Sequence, residues 1–285
     1  MIRTEEHQYH LDKVIAYYNT AQKYYDAVWG TGLHYGLWTE GVQTRAEAIE
    51  QENEILADIA RVKPGDLVLD AGSGVSNSGI WLAKNRGAHV LEFNITASQL
   101  SKGKEQAIDK RVAPFLDFVQ GDYQYLPFKS NSIDVFWALE SIEHADNVPL
   151  LVREAYRIVR RGGRAVIAGT FKGSTKPTER QTEQLNTGMR AAGAFNDFRS
   201  AQDVAEVLYE SGFNFIGIHD TTDFIMPSAE QMSQLCRWGL PGARLGNKLG
   251  IISDIMVDNT AWGTYQEDLF TSGVTTYHII AAEKT

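Results

Sequence analysis

The stretch VLDAGSGVSNSG, residues 68–79, is an apolar run that meets an acid at Asp70 and then loses nearly all side-chain bulk. Glycines stand at positions 72, 74 and 79, with small polar residues between them. A buried strand that breaks into glycines just before a helix is a ligand cradle. Missing side chains let a ligand reach the main chain, and the helix start offers free N–H groups. A P-loop is excluded, because no lysine follows at its required place. A dinucleotide site is disfavoured, because Asn77 stands where the third glycine of GxGxxG belongs. A carboxylate at Asp70 repels a pyrophosphate and attracts an ammonium, so the cradle points to a nucleoside with a cationic, zwitterionic tail.

Around this cradle the chain alternates. Helices are predicted over 5–28, 45–62, the SGIWLAKNRG, ASQLSKGKEQAIDKRV and VPLLVREAYRIVRRGG segments, and SAQDVAEVLYESGF. Strands are predicted over 67–71, 88–95, LDFVQGD, 133–139, 164–171, NFIGIHDTT and VTTYHIIAAEK, with a glycine-punctuated loop at 30–41. Such alternation specifies an α/β fold, a Rossmann-like doubly wound and mostly parallel seven-stranded sheet. Residues 1–62 read as an N-terminal helical lid and first packing helix, and 63–285 as the core. Two weakly periodic, aromatic segments, 172–200 and 226–270, are predicted to cap the carboxyl edge of the sheet, where open α/β folds bind ligands.

The net charge of −9 over 285 residues argues against a nucleic-acid binder that works through phosphates. The single cysteine, Cys236, excludes a disulfide framework and a cysteine-based zinc site. No metal-ligand spacing is present, and no apolar run is long enough for a membrane span. A cytoplasmic protein is expected, with a homodimer left open.

The motifs fall in a familiar order. LDAGSG resembles motif I of class I S-adenosylmethionine-dependent methyltransferases, with Ser76 at the third glycine position. VLEFNITASQL, GDYQYLPFKSNSIDVFWALES and LVREAYRIVRRGGRAVIA resemble the later segments of the small-molecule members, and AQKYYDAVWGTGLHYGLW is similar to the lid of the tocopherol and isoprenoid methyltransferase group.

The resemblance implies S-adenosylmethionine as cofactor. Gly72 and Gly74 would take its methionine portion, with Asp70 near the ammonium group. Asn94, favoured over Glu92, would meet the ribose with help from Gln99. Asp122 would accept the adenine amino group, with Tyr123 and Leu126 beside the ring, and Tyr25 in the lid over the cofactor. Glu140 and His144, with Glu143 between them, lie where cofactor meets acceptor and are the catalytic candidates. Tyr18, His34, Tyr35, Trp38 and Phe171 are the substrate-binding candidates.

The resulting expectation is a methyltransferase for a small lipophilic or aromatic specialised metabolite. Oxygen or nitrogen transfer through His144 and carbon methylation of an isoprenoid diphosphate beside Glu140 both stay open. A diphosphate would call on the cap cations Lys172, Lys176, Arg180, Arg190 and Arg199. A non-catalytic sensor of the cofactor is the rival from another class.

Overall fold

The structure, a computed structural model, describes residues 4–28 and 34–285, the side chains of 26–28 apart. The first part of the predicted 30–41 loop therefore lies outside the described residues, as does the side chain of Val28.

The strands run Leu67–Ala71 (β1), His89–Asn94 (β2), Leu116–Gln120 (β3), Ile133–Leu139 (β4), Val159–Lys172 (β5), Asn214–Asp220 (β6) and Thr275–Glu283 (β7). They form one sheet in the order β3-β2-β1-β4-β5-β7-β6. β7 alone pairs antiparallel, with β5 on one side and β6 on the other. The chain therefore reverses its direction of winding between β1 and β4, which puts a crevice at the carboxyl ends of those strands.

Both sheet faces are covered. The helices are Glu5–Val28 (α1), Arg45–Ile59 (α2), Asn77–Arg86 (α3), Ala97–Asp109 (α4), Val148–Ile158 (α5), Glu179–Ala192 (α6), Ala201–Ser211 (α7), Thr222–Lys248 (α8), Asp254–Gly263 (α9) and Gln266–Thr271 (α10). Alternate residues of β4 feed two cores: Phe136 packs with Leu151, Ile158 and Phe213, and Trp137 with Leu56, Leu82 and Tyr277. Each of these side chains is fully buried, and such burial stabilises by roughly 1.5–3 kcal/mol per large apolar residue. No helix among the described residues is long and apolar enough to cross a membrane.

One boundary differs from expectation. The helix predicted through Gly163 ends at Ile158, and β5 starts at Val159. Val159 is buried against Ile133, so a β-branched residue takes a strand position, while the charged Arg160 and Arg161 stay outside. The second cap is more helical than its weak periodicity suggests. Pro227 and Pro241 both sit inside α8, and they are what blurs its pattern.

Candidate active site

The turn after β1 is built for close approach. Gly72 has φ 87°, and a Cβ there would lie 2.5 Å from the Cβ of Ser141. Ser141 itself donates to the carbonyl of Ala71 at 2.6 Å, tying the β4 end to the β1 end. Gly74 also has positive φ, yet a Cβ there would meet nothing within 4 Å, so the space above it is free for a ligand. At the position of the third motif glycine, Ser76 adopts φ 67° and buries its hydroxyl against Gly103. Gly103 on α4 makes the room that the Ser76 side chain needs.

Beneath the turn, Asp70 and Glu92 stand side by side in register on β1 and β2. Both are buried. Burial pushes Asp70 up to about 7. Burial, and then the charge of Asp70, push Glu92 well above the usual carboxylate range. Glu92 points under the first turn of α3, against Gly79, and away from the strand tip. Asn94 is the residue at that tip. It donates to Gln99 Oε1 at 2.9 Å and to the Gly74 carbonyl at 3.2 Å, and Gln99 in turn donates to Gln22 of α1 at 2.9 Å.

A small cavity of about 50 Å³ runs from here along Asn94, Asp122, Tyr123 and His144, roofed by Leu11, Val14 and Tyr18 of α1. Tyr123 donates to the Ser141 carbonyl at 2.9 Å. Asp122 accepts from the Gln124 amide at 2.9 Å and lies 2.7 Å from His7 Nε2, while His7 Nδ1 lies 2.7 Å from Asp146. The first turns of α1 are thus latched onto the carboxylate expected to read adenine. Leu126 does not flank this cavity: its side chain belongs to the core beside Phe93 and Phe136, and its amide donates to Glu154.

A larger cavity of about 430 Å³ opens from the same glycine turn toward α8 and α9. Glu140, Glu143, His144, His34, Tyr18, Tyr25 and Tyr35 all face it, as do Tyr17, Thr170, Asn259 and Gln266. Glu140 has φ 47°, a left-handed conformation that L side chains resist. That turn at the end of β4 brings its carboxylate within reach of the Tyr35 amide at 2.8 Å and the Tyr277 hydroxyl at 3.0 Å. His34 Nδ1 lies 3.7 Å from Glu140 Oε2, an ion-pair distance rather than a hydrogen bond. Burial works against a charge on His34, but Glu140 outweighs it and raises the imidazole.

Glu143 accepts from the Thr170 amide at 2.5 Å, and burial pushes it up to about 7. Burial lowers His144 to about 4. Its Nε2 lies 2.8 Å from the hydroxyl of Tyr18, whose own acidity burial suppresses, so the tyrosine donates to a neutral ring.

Two further expectations need correction. Phe171 is 2 % exposed and packs in the core, because its neighbour Thr170 holds the cavity side of β5 and alternate residues face opposite ways. Trp38 does not face the cavity either: its indole donates to Ser228 and its amide to the Phe224 carbonyl, anchoring the lid segment to α8. Tyr25 faces the cavity that Gly72 and Gly74 also line, and is bonded to Tyr17 and to Asn259 of α9.

Glu52 escapes a motif search. It is fully buried, lies 2.7 Å from the Tyr277 hydroxyl, and is pushed up to about 8. An acid four residues after Ala48 and four before Leu56, on the inward stripe of α2, is the signal that marks it.

A doubly wound sheet, a glycine turn at its switch point and a capped cavity beyond that turn make up the Rossmann-like fold that this chain shares with solved methyltransferases. Residues 69–167 match the family described as a methyltransferase domain. The chain is 33 % identical over 154 residues to methyltransferase GfsG of Streptomyces halstedii, covering 53 % of this chain and 55 % of that one. It is 29 % identical over 213 residues to cycloartenol-C-24-methyltransferase 1 of Oryza sativa subsp. japonica, covering 74 % of this chain and 62 % of the relative. The chain thus spans little more than half the length of these two curated relatives. Among solved structures, the [4+2]-cyclase SpnF superposes with a TM-score of 0.77 at 19 % identity, covering 95 % of this chain and 94 % of that one, a likeness of fold alone.

The residues present fit the cofactor S-adenosylmethionine. Open space stands over Gly74, the buried Asp70 has a carboxylate oxygen with no partner among the described residues, and amides line the β2 tip.

Proposed function

We propose that the chain methylates a neutral, lipophilic small molecule, with an alkene carbon as the favoured acceptor. The observation that carries this reading is the composition of the large cavity. Tyrosines and apolar cap residues line it, two carboxylates (Glu140 and Glu143) face into it, and none of its described lining residues is a lysine or arginine. The cap cations Lys172, Lys176, Arg180, Arg190 and Arg199 all lie off that lining, so a diphosphate acceptor would find no counter-charge there. The likeness to a cycloartenol methyltransferase agrees with a neutral lipid-like acceptor.

When bound, S-adenosylmethionine supplies a methyl group on a sulfonium centre, which keeps the electron pair of the broken bond. In this reading Gly72 and Gly74 receive the methionine portion and Asp70 its ammonium. Asn94 and Gln99 hold the ribose, and Asp122 and Tyr123 the adenine. Tyr18, Tyr25, His34 and Tyr35 shape the acceptor end and keep water out. The acceptor's π pair forms the new carbon–carbon bond and leaves a cation on the neighbouring carbon. Glu140 and the tyrosine faces stabilise that cation. A carboxylate then takes the adjacent proton, and the C–H electron pair restores a double bond. Glu143, with its value near 7, is suited to hold a proton at neutral pH.

Transfer to oxygen is the second reading, because His144 borders both cavities. Its lowered value makes it a weak base, which favours carbon.

Incubation with methyl-labelled cofactor and paired acceptors, a neutral polycyclic alkene and a prenyl diphosphate of similar size, tests the reading. Label on carbon of the neutral compound supports it. Label only on the diphosphate, or on neither while a cyclised product forms, overturns it.

A further inference from the structure

The cavity wall formed by α8 has an outer side that nothing among the described residues covers. Leu235, Trp238, Leu245 and Leu249 recur along it at spacings of three, seven and four, which keeps them on one face. All four are exposed, Trp238 at 86 %, and the turn beyond adds Ile251 at 73 %. Exposed apolar patches of this kind mark interaction sites.

The charge along this face is as distinctive as its apolarity. Arg237, Arg244 and Lys248 each stand one position before an apolar stripe residue, about 100° round the helix. Arg237 reaches Glu267 at 2.8 Å. The segment 231–253 contains these three cations and not one acid, in a chain whose net charge is −9. An apolar stripe bearing tryptophan and leucine, flanked by basic residues, is the pattern of a helix lying in a membrane interface. A second copy of this chain is a poorer occupant, because a two-fold contact would set each cation row against its own image.

The stripe is also continuous with the proposed acceptor chamber. Leu235, Gly239, Ala243 and Ile252 line the 430 Å³ cavity from the same helix and turn. We propose that the outer face of α8, with the turn after it, docks on an anionic lipid bilayer, from which a lipophilic acceptor passes into the cavity. The passage of acceptor rests on the proposed function; the docking does not.

Vesicle co-sedimentation of the whole protein, without cofactor or acceptor, tests the docking. The bound fraction is expected to be about tenfold greater on phosphatidylcholine–phosphatidylglycerol vesicles than on phosphatidylcholine alone, and to fall with added salt. Trp238→Ala/Leu245→Ser and Arg244→Glu/Lys248→Glu should each lower binding about tenfold. Trp238→Phe should still bind but lose the blue shift of tryptophan emission. Equal binding to both vesicle types, no effect of the variants, or a concentration-dependent dimer that Trp238→Ala dissolves would overturn the proposal. Calorimetry with S-adenosylhomocysteine on the same samples keeps the two claims apart. Protein that sediments with vesicles yet gives no heat upholds the docking while removing the methyltransferase reading, and the reverse result does the opposite.

Discussion

The hydroxyl of Tyr277 lies between two carboxylates, 2.7 Å from Glu52 Oε1 and 3.0 Å from Glu140 Oε1. One phenolic hydrogen can serve only one of them. Burial and the charge of Glu140 push Glu52 up to about 8, so Glu52 carries a proton at neutral pH. The hydrogen-bond chain then runs from Glu52 through Tyr277 to Glu140, and it holds the Glu140 carboxylate in its strained position at the end of β4.

Removing the hydroxyl breaks this chain at its centre. Tyr277→Phe is expected to destabilise the protein by about 1–3 kcal/mol in urea unfolding, the penalty for a buried polar group left without its partner. It should also lower kcat by roughly tenfold while leaving the KM for S-adenosylmethionine unchanged, because Glu140 loses a fixed donor. An unchanged kcat would remove Glu140 orientation from the account.

Glu52 makes the fold sensitive to pH in a defined sense. A carboxyl held above its unfolded value of 4.5 binds its proton more tightly in the folded state. Its stabilising contribution is therefore full below about 4.5 and is lost as pH rises toward 8. Unfolding free energies measured between these limits should fall with pH in the native protein. They should fall less steeply in Glu52→Gln, and identical slopes would contradict the assignment.

Asn94 and Glu92 compete for the ribose, and geometry separates them. Asn94→Asp places a charged acceptor at the β2 tip and should tighten S-adenosylhomocysteine binding by about tenfold, as charge-assisted hydrogen bonds exceed neutral ones. Asn94→Ala should weaken it to a similar degree. Glu92→Gln should leave the Kd unchanged, because that side chain points under α3. A Kd that follows Glu92 instead would reverse the roles.

Most of the fold was legible because its signals are local. Strand runs, the glycine turn at 72–74 and the helix stop at Gly87 depend on residues close in sequence. The helix stop at Ile158 was not legible, since it is decided by Val159 pairing with Ile133 across the sheet. The candidate site divides in the same way. Gly72, Gly74, Asn94, Asp122, Glu140 and His144 line the cavities, whereas Phe171 and Trp38 were misplaced because strand alternation and a contact with Ser228 decide their direction. Glu52 and His7 act through partners far along the chain, Tyr277 and Asp122, and no local pattern announces such contacts.

His7 offers a check on the lid. Burial opposes its charge, but Asp146 and Asp122 outweigh that and raise it above its ordinary value, and the Tyr125 ring packs at its edge. The latch is therefore full below the unfolded value of 6.5 and is lost as pH rises through the raised folded value. Hydrogen exchange over α1 should be slow at low pH and speed up through that range. In His7→Ala it should be fast throughout, by about tenfold at the acid end. Exchange independent of pH in the native protein would remove the latch.

The central claim is that the bare turn after β1 receives S-adenosylmethionine, and titration calorimetry with S-adenosylhomocysteine reaches it most directly. Native protein should give saturable one-to-one heat with a Kd on the order of micromolar. Gly74→Asn, whose residue tolerates the left-handed backbone but fills the open space, should abolish that heat while melting at nearly the native temperature. No heat from the native protein, or equal heat from both, would contradict the account.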